Sequence, residues 1–215
     1  MSYDLILRGG RVVDPSQKLD AVTDVAFAEG KVARIGAGLR PDAKTDVHDV
    51  SGRIVTPGLI DLHTHVYWGG TSLGVDAEDF CRRSGVTTAV DTGSAGPGNF
   101  AGFRKHVIER SEVRILAYLH VSFAGIYAFS PRVMVGESEE IRLMAPIDAV
   151  EVANANRDII VGIKVRVGAR ASGRFNANAA LTVEAAITSA SGMPRQRNFD
   201  MVVTWSNAGP LMQSA

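Results

Sequence analysis

Two histidines and one lysine in this 215-residue sequence have the types and placement that metal chemistry needs. His63 and His65 are separated by Thr64 at the end of the run Pro57-Gly58-Leu59-Ile60-Asp61-Leu62. Successive side chains of a strand point to opposite faces, so the two imidazoles share a face and can reach one ion, with Asp61 one step deeper on that face. The apolar residues before the pair read as a mostly buried strand. The histidines then fall at its C-terminal end, where parallel α/β folds keep their sites. Lys164 lies inside the β-branched run 158–167, and a lysine among such residues costs free energy unless it is paired or modified. An ion pair with Asp61 or Asp91 is the plain account of it. An isolated H-x-H is more often a surface or hydrogen-bonded pair than a ligand pair. Here a chain break at Pro57-Gly58, a following Trp68-Gly69-Gly70 loop and the distant lysine favour the metal reading.

The remaining histidines carry less. His120 lies toward the end of a strand over 114–122 and is either a ligand, a substrate contact or a hydrogen-bonded structural residue. His48 falls in the N-terminal β region and His106 on a helix, away from the strand ends.

Residues 3–56 read as short strands (3–8, 10–13, 23–27, 31–36 and 53–56) divided by turn residues, with Gly30 placed for a hairpin. From Gly58 strands alternate with helices, the signature of βα units around a parallel sheet, and a barrel is the expected architecture. Helices are expected over 75–84, 99–110 and 147–156, and strands over 86–91, 114–122 and 158–167. The loop 125–138, with Tyr127, Phe129 and Pro131, is positioned to cover a site's mouth.

Twenty-three basic and 23 acidic residues leave no net field to attract nucleic acid or an anionic membrane, so a small molecule is the expected partner. The single cysteine, Cys81, has no internal disulfide partner and reads as a packed helix residue. Nothing at Met1-Ser2-Tyr3-Asp4-Leu5 reads as a leader, and no run approaches the ~20 apolar residues of a membrane span; the cytoplasm is the expected compartment.

The stretch Pro57 to His65, with Gly85-Val86-Thr87-Thr88-Ala89-Val90-Asp91-Thr92-Gly93-Ser94-Ala95-Gly96 and Gly162-Ile163-Lys164-Val165-Arg166, resembles the amidohydrolase superfamily of metal-dependent hydrolases, in its dihydroorotase-like amidohydrolase/deacetylase group. The likeness runs to about Ser172. It implies an α/β protein, the first half of a TIM-type (β/α) barrel preceded by a small β-sandwich subdomain. The expected divisions are 1–56 for the sandwich, 57–171 for the half barrel and 172–215 for an atypical tail. The resemblance further implies His63, His65 and Lys164 as metal residues, Lys164 as a carbamate formed with carbon dioxide and bridging two divalent ions, zinc being the expected metal. The implied reaction is hydrolysis of a cyclic amide, amide or ester by metal-activated water.

The family pattern asks for more than this chain offers. Two further histidines from the fifth and sixth strands and an aspartate from the eighth are expected, yet all five histidines lie at or before His120. The chain from Pro57 is also well short of the about 250 residues of a full barrel. Residues 172–215 hold only five charged side chains, with Asp200 and Glu184 the only carboxylates. That texture leads to the expectation of a frame shift or rearrangement after Ser172, with a genuine short variant as the alternative. An active hydrolase completed by assembly into a homo-oligomer, an inactive truncated amidohydrolase and a non-catalytic binding module all stay open. Dihydroorotate, hydantoins, N-acyl amino acids and acylated hydroxy acids are all compatible substrates.

Overall fold

The computed structural model describes residues 2–130, 132–135, 137–138, 140–167 and 200–205, and the chain divides into two compact units between Leu59 and Ile60. The first unit is β-rich. Strands β1 (Leu5–Asp14), β2 (Leu19–Ala28), β3 (Lys31–Gly36) and β4 (Asp46–Asp49) form a sheet of order β3-β2-β1-β4, with β5 (Ile54–Val55) also paired to β1. The strands expected at 3–8 and 10–13 are one strand with a bulge: the register slips between Leu7 and Gly10, where Gly9 takes φ +71°. The β2–β3 turn uses Glu29 and Gly30, both at positive φ, which suits a tight two-residue hairpin. Strand β4 had no sequence signal, because Asp46-Val47-His48-Asp49 is exposed throughout and has no apolar alternation. Tyr3, Ile6, Ala26 and Leu39 form this unit's core.

In the second unit, β6 (Leu59–Thr64), β7 (Val86–Thr92), β8 (Arg114–His120), β11 (Ile160–Val167) and β12 (Asp200–Trp205) make a parallel half-barrel of order β12-β11-β8-β7-β6. Between them come α1 (Ala77–Ser84), α2 (Phe100–His106), the small hairpin of β9 (Ala128–Phe129) and β10 (Met134–Val135), and α3 (Pro146–Ala155). Asp76 caps α1, accepting from the backbone N–H groups of Glu78 and Asp79. Gly85 closes α1 at φ +72°.

Alternation decides the faces of this sheet. Ile115, Ala117 and Leu119 of β8 and Ile163 and Val165 of β11 pack with Phe100 and Phe103 of α2 and Ala149 and Ala153 of α3. The intervening residues, His120 and Lys164 among them, therefore share the opposite, inner face. Cys81 is buried in the same core.

One strand departs from expectation. The run read as buried exposes Leu59, Ile60 and Leu62, the last to 69%. Strand β6 is outermost in the sheet order, so its side chains have one neighbouring strand instead of two. Strand β12 lies parallel to β11, with Val202 opposite Lys164. The expected boundary at Ser172 lies outside the described residues. Among the described residues no helix is long and apolar enough to cross a membrane.

Candidate metal-binding active site

Strand β6 delivers His63 at its penultimate position and His65 just beyond its end. The two rings stand 5.8 Å apart, centroid to centroid, and close to perpendicular at 77°. Thr64, on the other face, bonds the Val90 carbonyl at 3.0 Å, while Thr92 Oγ1 reaches back to the Thr64 carbonyl. This exchange pins the β6 end to β7. Burial, helped by the His63 and Lys164 side chains, pushes His65 down to about 4; burial followed by Lys164 also lowers His63. Both rings are therefore neutral near pH 7, the form in which imidazole binds metal.

Asp91 organises the backbone around the pair. Its Oδ2 accepts from Val66 N at 2.8 Å and its Oδ1 from Ser94 N at 2.8 Å and Gly93 N at 3.1 Å. Burial raises its carboxyl, opposed first by the Ser94 hydroxyl bond and then by these amides. The Ser94 hydroxyl lies 3.0 Å from His65 Nδ1, a distance at which it can accept the Nδ1 proton. His65 Nε2 then keeps its lone pair, the arrangement in which a metal-ligating histidine donates its other N–H.

Lys164 is 2% exposed, directly opposite His120 across β11 and β8. The ion pair with Asp61 or Asp91 is overturned. Asp91 is committed to three backbone amides, and Asp61 Oδ1 accepts from its own neighbour, His63 N, at 2.9 Å. No ion pair to Lys164 forms among the described residues. Burial carries its amine down to about 8, with Glu137 and more weakly Asp91 resisting the shift and Arg166 adding to it. A sizeable neutral fraction then exists near physiological pH, and a neutral amine is nucleophilic. Gly93, at φ +95°, is required beside it: a Cβ there would stand 2.7 Å from Lys164 Cγ.

His120 is fully buried; burial and then Lys164 push it down to about 3. Its Nδ1 accepts from Ser122 N at 2.9 Å and its Nε2 has no partner among the described residues. After the β9–β10 hairpin, Glu137 is buried and accepts from Arg166 Nη1 at 2.9 Å, and the Arg166 guanidinium lies 5.0 Å over the Phe129 ring. The loop expected over the mouth thus holds the cation two residues beyond Lys164, although its Pro131 lies outside the described residues. His48 pairs with Asp46 at the surface and His106 is exposed at the α2 end.

Sequence reading missed Gly93, Ser94, Ser122, Glu137 and Arg166. Gly93 and Ser94 stood within the quoted glycine-rich run, and Arg166 within the lysine strand, but nothing local marked Glu137. The donors assembled here fit a divalent ion in part: two neutral imidazoles and a buried reactive amine. Among the described residues no group of three His, Cys, Asp or Glu side chains gathers to hold a metal.

No family model matches the chain. A deacetylase of Agrobacterium fabrum is 38% identical over 145 residues, covering 67% of this chain and 35% of the relative. A Brucella anthropi deacetylase is 38% identical over 148 residues, covering 68% and 36%. A dihydroorotase of Citrifermentans bemidjiense is 52% identical over 63 residues, 29% of this chain and 15% of that protein. Among solved structures, a dihydroorotase superposes with a TM-score of 0.77 at 28% identity, covering 93% of this chain and 50% of that one. An adenine deaminase at 19% identity and a TM-score of 0.78 shares the fold. The chain spans about a third of the two deacetylases and half of the solved dihydroorotase. Sequence likeness to the deacetylases and dihydroorotase, and a parallel half-barrel laid on the dihydroorotase fold, agree: the chain belongs to the amidohydrolase superfamily.

Proposed function

We propose that the strand-end site binds a divalent metal and serves hydrolysis of an amide, cyclic amide or ester, with His63, His65 and Lys164 as the metal-holding residues. The observation that carries this reading is two neutral imidazoles beside a buried lysine that forms no ion pair among the described residues. Nitrogen donors of this kind suit zinc. A bound ion would supply Lewis-acid polarisation of the substrate carbonyl and of the attacking water. Lys164 would join the donor set after its neutral amine adds to carbon dioxide, forming an N–C bond and releasing one proton to give an anionic carbamate. Ser94 and Asp91 orient His65; Gly93 lets the Lys164 stem pack against the β7 end; Glu137 pairs with Arg166 two residues beyond the lysine. The compartment proposed is the cytoplasm, where a free, buried Cys81 is at home.

A second reading rests on the partial donor set: a chain that holds metal without turning substrate over. One experiment separates the two. The chain is loaded with zinc and 13C-bicarbonate, then assayed on N-acetyl amino acids, hydantoin and dihydroorotate. The first reading predicts a carbamate carbon signal that Lys164→Ala abolishes and zinc-dependent turnover that His63→Ala abolishes. A carbamate signal with no turnover selects the second reading. Loss of both signals removes both.

A further inference from the structure

We propose that His120 is a hydrogen-bond donor to a substrate oxygen and not a metal ligand, because its ring is held in the tautomer that carries the proton on Nε2. The Ser122 backbone amide lies 2.9 Å from His120 Nδ1. A backbone N–H can only donate, so Nδ1 presents its lone pair and bears no proton. Turning the ring over would place a carbon against that buried amide and leave it unpaired, at a cost that buried N–H groups seldom bear. The ring is thus neutral with its single proton on Nε2, and Nε2 is the nitrogen without a partner among the described residues.

His65 is not held in this way: its Nδ1 faces the Ser94 hydroxyl, which accepts as readily as it donates, so the proton can sit on Nδ1 and leave Nε2 to a metal. A metal at His120 Nε2 would require either the loss of the Ser122 bond or removal of the ring's last proton. His120 is nonetheless well placed for substrate. It shares the inner face with Lys164, its register partner, and Gly93 packs close against both, where a Cβ would stand 3.1 Å from His120 Cδ2. A fixed, buried N–H with no acceptor takes an oxygen: a carbonyl or carboxylate oxygen of the substrate. The ligand's nature rests on the hydrolase reading; the tautomer does not.

The test is long-range 1H–15N correlation on the full chain labelled with 15N-histidine, before and after zinc and then with acetate, the carboxylate that a deacylation releases. The His120 signals are assigned by their disappearance in His120→Gln. The expected result is a His120 Nε2–H tautomer that survives zinc while the His63 and His65 nitrogens shift, and an Nε2–H signal that moves on adding acetate. His120→Leu should weaken acetate binding by about tenfold, the effect of one buried hydrogen bond. A His120 proton on Nδ1, displacement of its Nε2 proton by zinc, or an Nε2–H unmoved by acetate would overturn the assignment. The wild-type tautomer needs no variant to fold. If zinc shifts neither His63 nor His65 while His120 stays Nε2–H, the metal reading fails and the tautomer assignment stands.

Discussion

Gly93 and the buried histidines set the tolerances of the site. Gly93→Ala places a methyl group 2.7 Å from Lys164 Cγ at a φ of +95°, and urea denaturation should show a loss of about 1–3 kcal/mol. An unchanged midpoint would mean that the lysine and glycine are not in this contact. The histidines predict a pH dependence of fixed sign. His65 falls from 6.5 to about 4 and His120 from 6.5 to about 3, so between those values the unfolded chain binds more protons than the folded one. Stability present above pH 6.5 is then lost as pH falls through about 4 and about 3, and His120→Gln should flatten that slope. A stability that rises on acidification from pH 6.5 would contradict the burial of both rings. The sequence exposed His63 and His65 through local spacing and Lys164 through its mismatch with an apolar run. It could not expose their supports, since His65 with Ser94 and Glu137 with Arg166 are each brought together across 29 residues of chain. Of the two accounts the sequence leaves for Lys164, the plain one, an ion pair with Asp61 or Asp91, does not form: Asp91 accepts from three backbone amides and Asp61 from His63 N.

The elements of the half-barrel were the most legible part, because strands with β-branched runs alternate with helices that carry their own stop signals. Helix α1 illustrates this: Asp76 caps one end and Gly85 the other. Asp76→Ala should cost about 1 kcal/mol in thermal or chemical melts, without changing the histidine tautomers. A neutral effect would show that the cap bond is already replaced by water. Strand β6 is less legible. Its apolar run reads as a doubly covered strand, but burial depends on how many neighbours a strand acquires, and that number is a property of the sheet. Strand β4 fails in the other direction: parallel pairing with β1 makes it a strand without any apolar pattern of its own.

At the scale of the whole molecule, the exposed Ile60 and Leu62 form an apolar surface on a strand at the end of its sheet, which favours contact with a second copy. Sedimentation should show mass rising with concentration, and Leu62→Lys should shift the equilibrium toward the monomer. A monomer at all concentrations would mean that this strand is covered in solution. The change from turn-separated strands to alternating strands and helices is legible in the sequence, whereas the register of β12 beside β11 is not, since nothing in residues 200–205 names its neighbour. The central claim is that His63, His65 and Lys164 make one metal site at the ends of parallel strands. Equilibrium dialysis of zinc against the purified chain tests it most directly. The account predicts at least one tightly held zinc per chain and affinity reduced on the order of 100-fold or more by His65→Ala. Zinc held equally by the wild type and His65→Ala, or by neither, would contradict it.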